Sequence, residues 1–278
     1  MKQSNKIICD SFLFYNELDL LKVRLSYLGP FIEQFFIVES NCDFAGKSKP
    51  YYLEPFLSEL PYAHKIKYHQ VNINLWHPKW IIKRLRWITR PSKFLWKIQD
   101  FQRDAITELI QKENHHTPDY VLFGDLDEIP DATFLASLMT GKETIFEPKT
   151  LRQRLFYFRS DISTVAENWF GTLCCPGAMF FDRLPHVWRF MRERLPFVEQ
   201  GGFHFSYFIP AQNIQIKLNA IADVEKIPAY KNYDLELIEE SIANAQDIFG
   251  RDLGLKRQLG LVPDDLMQQL KKYVPLHV

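Results

Sequence analysis

The chain has 278 residues, 46% hydrophobic and 24% charged, so it can bury a sizeable core and a disordered chain is excluded. Its 34 Lys and Arg balance 34 Asp and Glu, which excludes a global field that attracts nucleic acid, and no nucleic-acid partner is expected. The four cysteines, Cys9, Cys42, Cys174 and Cys175, lack C-x-x-C spacing, so we expect reduced thiols.

The first half of the chain alternates strand-like and helix-like segments. Strands are predicted over residues 7–14, 35–39, 66–71 and 120–123, and helices over residues 17–28 and 98–110, with Asn16 as the cap of the first helix. This alternation predicts an α/β fold with a doubly wound, mostly parallel, Rossmann-like sheet. Ligands of such sheets bind at the carboxyl ends of the strands.

The second half has a different pattern. Extended segments are predicted over residues 151–159, 178–181 and 203–208, and helices over residues 213–222 and 235–249. Residues 1–6 are polar and no apolar run reaches membrane-spanning length, so a cytoplasmic protein is expected.

An acidic motif follows the buried strand at residues 120–123. Asp125, Asp127 and Glu128 place three carboxylates within four residues. Crowded carboxylates repel one another unless a cation or hydrogen-bond donors compensate, and magnesium or manganese prefers such oxygen ligands. The alternative is a helix start, in which Asp131 caps a helix over residues 132–139.

A second segment that could take part in binding or catalysis runs from Glu199 to Tyr207. Gly201 and Gly202 permit close backbone approach to a ligand, and His204 lies between two phenylalanines. A histidine in this setting is usually structural, while contact with a metal or a phosphate is the alternative.

These motifs resemble glycosyltransferase family 17, whose best-known members are the bisecting β-1,4-mannosyl-glycoprotein 4-β-N-acetylglucosaminyltransferases. The resemblance is carried, in family order, by DSFLFYNELDLLKVRL at residues 10–25, FIVES at 36–40, FAGKSKP at 44–50, QRD at 102–104, DLDEIP at 125–130 and GFHFSY at 202–207. The chain departs from the family pattern at Phe203, where tryptophan is frequent, and around Asp223, where the family has a histidine.

The resemblance implies one GT-A-type nucleotide-sugar domain over residues 1–278, with C-terminal helices. Residues 1–130 would be the nucleotide-sugar half, 131–230 the acceptor half and 231–278 a helical extension. The implied reaction is inverting transfer from a UDP-sugar to a hydroxyl of an oligosaccharide or other glycan. N-acetylglucosamine is the family's sugar, while xylose, glucose and galactose stay open.

The resemblance also implies roles for individual residues. The expected metal ligands, for manganese or magnesium, are Asp125, Asp127 and His204. The expected nucleotide-binding residues are Asn16, Glu17, Arg24, Glu39, Arg103 and Lys217. Arg24 could instead pair within its helix, and Lys217 could be solvated. An inverting transfer needs a carboxylate base, for which the candidates are Glu199 and Asp223, with Glu193 behind them.

Two other functions stay open at this stage. A catalytically silent carbohydrate- or nucleotide-binding module could keep the fold without the chemistry, although the intact acidic motif argues against it. A nucleotidyltransferase would use a similar sheet and an acidic metal site, but it usually has a glycine-rich loop near the first strand, and the sequence has none there.

A basic and aromatic stretch at residues 76–97 remains outside these motifs. It contains seven Lys and Arg, no acidic residue, four Trp and one Phe. This composition is typical of helices at a membrane surface, so a peripheral membrane contact is one interpretation. An anionic glycan site and a solvated basic face are the alternatives.

Overall fold

A computed structural model describes residues 5–43, 45–89, 91–113, 116–166, 169–218 and 233–278. The first part of the chain contains β1 (Ile8–Phe14), α1 (Leu18–Leu28), β2 (Gln34–Ser40), β3 (Ile66–Val71), α2 (Pro78–Arg86), α3 (Pro91–Glu113), β4 (Tyr120–Asp125), β5 (Glu128–Pro130) and α4 (Ala132–Met139). The second part contains β6 (Lys149–Tyr157), β7 (Arg159–Thr164), β8 (Trp169–Pro176), α5 (Gly177–Phe180), α6 (Pro185–Met191), β9 (Phe197–Ser206), α7 (Ala211–Leu218), α8 (Leu235–Ala243), β10 (Leu255–Arg257) and α9 (Asp264–Tyr273).

The described strands form one sheet in the order β10-β7-β6-β8-β4-β1-β2-β3, with β9 paired to both β5 and β6. Strands β1 to β4 are parallel, as the alternating pattern predicted, because helices carry the chain back between them. Beyond β4 the sheet is mixed, since β8 runs antiparallel to β4 and β6 antiparallel to β8. The α/β class is confirmed.

Helices cover both faces of the sheet. Along β1, Ile8 and Phe12 join one apolar cluster and Cys9 and Leu13 join the other, as the alternation of side chains in a strand requires. The first cluster includes α1, α4 and α9, and the second includes α2, α3 and α5. A third cluster packs α7 and α8 against β6 and β7.

Helix boundaries differ from the sequence predictions at several places, including α3, which spans Pro91–Glu113 rather than residues 98–110. The cap of α1 is Glu17, not Asn16, and the Glu17 side chain makes no capping hydrogen bond within the described part of the chain. Residues 177–180 form α5 rather than an extended segment, and α8 ends at Ala243. The predicted cap at Asp131 is confirmed, since its carboxylate accepts hydrogen bonds from two backbone amides at 2.8 and 3.1 Å.

The C-terminal segment is part of the main fold. Strand β10 extends the sheet by pairing with β7. Helix α9 packs on α1 through the fully buried Leu266 and Leu270, and the Ser26 hydroxyl lies 3.3 Å from the Tyr273 hydroxyl. This segment therefore contains a strand besides the expected helices. Of the described helices, none combines the length and apolarity needed to cross a membrane.

Candidate active site

The acidic motif lies where strand β4 ends. Asp125 is the last residue of β4 and pairs with Leu13 of the neighbouring β1. The side chains of Asp125 and Asp127 remain 35% and 17% exposed, whereas that of Glu128 is fully buried. Two of the three carboxylates are therefore accessible at the carboxyl edge of the sheet, where ligands of α/β sheets bind.

Two arginines from different helices contact Asp125. Arg103 of α3 lies 3.4 Å from Oδ1, and Arg189 of α6 makes a close ion pair with Oδ2. Burial alone would raise the pKa of the Asp125 carboxyl, but attraction to Arg189, Arg103 and Arg192 outweighs it and holds that pKa well below its usual range. Asp125 is therefore a carboxylate already paired with protein cations.

Glu128 holds the same loop in place through buried hydrogen bonds. Its carboxylate accepts hydrogen bonds from Arg189 at 2.8 and 2.9 Å, from Arg192 at 3.2 Å and from the Trp169 indole at 2.8 Å. It also accepts the backbone amide of Asp125 at 3.0 Å. A buried carboxylate needs such partners, so Glu128 fixes the loop rather than facing a ligand.

Asp127 faces a histidine and a lysine on the other side of the loop. Its Oδ2 lies 3.4 Å from Nε2 of His204, which β9 places opposite Glu128. The Trp169 ring lies 4.3 Å from the His204 ring. Burial alone would raise the pKa of Asp127, but attraction and a hydrogen bond to His204, together with the charge of Lys217, lower it.

Lys217 of α7 brings a positive charge to the cluster that Asp125, Asp127, Glu128 and His204 form. Its Nζ lies 2.8 Å from Glu17 Oε1 and 5.5 Å from the centre of the Tyr207 ring. Burial would lower the pKa of Lys217, but attraction to Glu17 and Asp127 raises it above its usual value. Lys217 is therefore a positioned, charged lysine, not the solvated one that was the alternative.

We call the accessible surface around Asp125 and Asp127 the cleft, and Arg24 does not lie in it, contrary to expectation. Its side chain is fully buried and paired with Asp10, while Nη1 donates to the carbonyls of Asp125, Leu126 and Glu128 at 3.1, 3.0 and 2.7 Å. A nucleotide cannot reach a guanidinium with no exposed surface. Arg24 supports the loop from below instead.

Glu39 is likewise withdrawn from the cleft. Its fully buried carboxylate accepts hydrogen bonds from Lys49 Nζ at 2.6 Å, the Tyr68 hydroxyl at 2.7 Å and two backbone amides at 2.7 and 3.1 Å. Both oxygens are engaged by the protein. Glu39 therefore fastens the segment after β2 to the sheet and is not placed to contact a nucleotide.

Of the candidate bases that the structure describes, neither contacts this cluster. Glu199 is exposed and pairs with Arg152 at 2.8 Å. It precedes His204 by five residues in β9, a separation of about 15 Å at the rise of a strand, which places it beyond hydrogen-bond reach of the cluster. Glu193 is an exposed residue of a short turn, and Asp223 lies outside the described residues.

Comparison with known proteins decides the family. The sequence model of glycosyltransferase family 17 matches residues 1–253, which include every residue of this cluster. The chain belongs to glycosyltransferase family 17. It is accordingly a glycosyltransferase, and its mixed sheet flanked by helices has the α/β class that the sequence predicted.

Solved structures resemble this glycosyltransferase only weakly. One is 4-diphosphocytidyl-2C-methyl-D-erythritol synthase from Anaerococcus prevotii, with a TM-score of 0.35, 10% identity and coverage of 95% of this chain and 96% of that one. Another is the glycosyltransferase GlyE of Streptococcus pneumoniae, with a TM-score of 0.29, 12% identity and coverage of 69% and 38%. At these scores neither carries an argument. A search of curated protein sequences gives no match.

The residues of the family 17 site fit a divalent ion in part. Among the described residues, no three His, Cys, Asp or Glu side chains converge as a metal site, because the Asp125 carboxylate is turned to arginines. Asp127 and His204 form a partly exposed pair, and the buried His204 Nδ1 has no hydrogen-bond partner within the described ranges. Magnesium and manganese often bind through one or two protein ligands plus substrate phosphate, which this pair fits.

Three residues of this glycosyltransferase site were missed by sequence reasoning. They are Trp169, Arg189 and Arg192, which come from β8, α6 and the turn after it. Their sequence neighbourhoods carry no distinctive motif. Arg24 did carry a signal, since it lies in the buried stripe of α1 between Leu21 and Leu28.

Proposed function

We propose that this family 17 glycosyltransferase transfers a sugar from a UDP-sugar to a hydroxyl of a glycan acceptor, with inversion at the anomeric carbon. The observation that carries the proposal is the selective exposure of Asp125 and Asp127 at the end of β4, beside fully buried Glu128. N-acetylglucosamine is the first candidate sugar. Manganese or magnesium is the proposed metal, with Asp127 and His204 as its protein ligands and Asp125 beside them.

The cleft suits an anionic donor. Lys217 and Arg103 supply positive charge on its two sides, although each is already paired with a carboxylate. At the end of β1, the Asn16 Oδ1 atom is buried and lacks a hydrogen-bond partner among the described residues. A nucleotide amide or hydroxyl would satisfy this acceptor, which supports Asn16 as a nucleotide-binding residue.

The chemistry separates into three tasks. The acceptor oxygen forms a bond to the anomeric carbon while the bond from that carbon to the diphosphate breaks, and the electron pair leaves with the diphosphate. Lys217 and Arg103 stabilise this growing negative charge, and a bound divalent cation would supply further stabilisation of the same kind. The acceptor proton passes to a carboxylate base, for which Asp223 remains the candidate.

The test compares Asp127→Asn with Asp131→Asn. Asp131 is the matched control because it is an acid of the same segment that caps α4 instead of facing the cleft. We expect hydrolysis of one UDP-sugar in the presence of manganese, reduced on the order of 100-fold in Asp127→Asn and retained in Asp131→Asn. Manganese binding with UDP, followed by electron paramagnetic resonance, should fall in parallel.

Three outcomes would contradict the proposal or a part of it. If no nucleotide-sugar binds with or without metal, the UDP-sugar assignment fails. If a UDP-sugar binds but no acceptor mixture or water accepts its sugar, the chain is a binding module. Equal manganese binding by both variants would remove Asp127 from the metal site.

A further inference from the structure

Residues 76–97 form a region that the catalytic cluster does not use. Helix α2 begins shortly after β3 ends, so this region lies at the carboxyl edge of the parallel strands, the edge that also carries Asp125 and Asp127. The region has seven Lys and Arg and no Asp or Glu.

Large apolar side chains project from this region into solvent. We call them the apolar ridge, which consists of Trp76, Ile81, Ile82, Leu85 and Ile88. Trp76 is 83% exposed, Ile82 65%, Leu85 61% and Ile88 70%. A group of exposed apolar residues within thirteen positions of the chain marks an interaction site, because single exposed hydrophobic residues are common but groups of them are not.

The ridge is held in this orientation by packing on the opposite side of α2. Trp80 is buried, with its ring 6.2 Å from the Phe94 ring and 5.4 Å from the Phe101 ring. At 100° per residue, Ile81 and Leu85 point well away from Trp80. The ridge therefore cannot turn into the core without removing Trp80 from it.

Cations lie on both sides of the ridge. On a helical projection Arg84 lies on one side, and Lys79 and Arg86 lie on the other. Lys79 Nζ is 4.8 Å from the centre of the Phe101 ring, and Lys83 Nζ is 4.7 Å from that of Trp80. Within the described ranges, none of these four cations pairs with an acid. Their charge is thus available to an external anion.

We propose that the apolar ridge and its flanking cations dock this protein on an anionic lipid surface. A lipid surface can bind both the apolar ridge and its flanking cations. Aliphatic and Trp side chains enter the boundary of the acyl chains, while Lys and Arg contact the anionic headgroups. A soluble anionic glycan would leave Ile82 and Leu85 uncovered. A second copy of the same patch would bring like charges together.

This docking goes beyond the proposed sugar transfer and stands independently of it. It places the carboxyl edge of the sheet, and hence the cleft, beside the membrane. The ridge and the catalytic cluster share no residue, and the ridge side chains point away from Trp80, which packs on α3.

The experiment measures binding of the full chain to vesicles of phosphatidylcholine with and without 30% phosphatidylglycerol, by co-sedimentation. The apolar variant is Leu85→Ser with Ile88→Ser, and the charge variant is Lys83→Gln with Arg84→Gln. The matched control is Leu259→Ser with Leu276→Ser, since these leucines are 86% and 72% exposed elsewhere on the chain. Thermal melting checks that each variant is folded.

We expect binding only to the anionic vesicles, weakened roughly tenfold by either ridge variant and by 0.5 M salt, and unchanged in the control. A blue shift of the tryptophan fluorescence should accompany binding, because Trp76 is 83% exposed in the free protein. Equal binding by the apolar variant and the native chain would overturn the proposal. So would binding to a soluble sulfated polysaccharide without vesicle binding, or a dimer that Leu85→Ser with Ile88→Ser dissociates.

Discussion

Asp10 accepts two hydrogen bonds from Arg24, each 2.8 Å long, and both side chains are completely buried. The pair joins strand β1 to helix α1. Through its remaining nitrogen Arg24 also holds three backbone carbonyls of the loop that carries Asp125 and Asp127. The position of the loop that carries Asp125 and Asp127 therefore depends on an ion pair with no exposed surface.

Arg24→Met should destabilise the protein strongly. It leaves Asp10 as an unpaired buried carboxylate, a change that costs about 3–5 kcal/mol. Urea unfolding at neutral pH measures the loss. A loss below about 1 kcal/mol would contradict the proposed importance of the pair.

The double variant Asp10→Leu with Arg24→Met separates folding from positioning. Replacing a buried ion pair by apolar residues is often neutral, so most of the stability should return. The three loop carbonyls still lack their donor, and we expect UDP binding in the presence of manganese to stay roughly tenfold weakened, as measured by calorimetry. Native binding by the double variant would show that Arg24 only stabilises the fold.

Lys217→Met should weaken nucleotide binding by about tenfold, because it removes a partly buried charge near Asp127. Lys22→Met is the matched control. Lys22 also pairs with an acid of the same region, Asp19, but at 3.5 Å on the surface. Equal UDP affinity in the two variants would remove Lys217 from the nucleotide site.

Gly202→Ala should lower the free energy of unfolding by about 3 kcal/mol and disturb β9 beside His204. Gly202 has φ +141°, and an added Cβ would lie 2.2 Å from the carbonyl oxygen of Ile129 in β5. Gly254→Ala is the control, since Gly254 has φ +62° with open space around it, and only backbone strain of about 1 kcal/mol is expected. Similar urea midpoints for the two variants would argue against the close approach of β5 and β9.

Asp247→Asn should change the acid sensitivity of folding. Burial would raise the pKa of Asp247, but hydrogen bonds from Arg251 and Tyr157 lower it below the ordinary 3.8. A lowered native pKa adds stability that is present above the unfolded pKa and lost as the pH falls through the native one.

We therefore expect Asp247→Asn to lower the free energy of unfolding by about 2 kcal/mol at pH 6. The difference in this free energy between the variant and the native chain should shrink towards pH 3. Urea unfolding of both proteins over this range makes the measurement. A difference that is independent of pH would show that the carboxylate charge of Asp247 does not contribute.

The sequence predicted strands β1, β2 and β4 well because each is a compact run of mainly apolar residues, whereas β3 (IKYHQV) was found although half of its residues are polar. It did not predict β8, whose residues include Gly171 and Thr172 and lack a regular alternation. Residues 178–181 were assigned to an extended segment, although residues 177–180 form α5, because a short apolar run does not distinguish a strand from a helix.

The candidate site was predictable only where residues that can bind a metal follow directly after a predicted strand. Asp125 and Asp127 were found because they follow a buried strand. Arg189 and Arg192 lie more than sixty residues later, and only the tertiary fold brings them to Glu128. Long-range charge compensation of this kind leaves no local pattern in a single sequence.

The packing of α9 on α1 has a practical consequence for protein preparation. The family match stops at residue 253, yet Leu266 and Leu270, beyond it, have no exposed surface. A protein shortened at the family boundary would uncover the outer side of the helix that carries Arg24. We expect such a fragment to aggregate during expression, so the cooperative unit for biophysical work extends through α9.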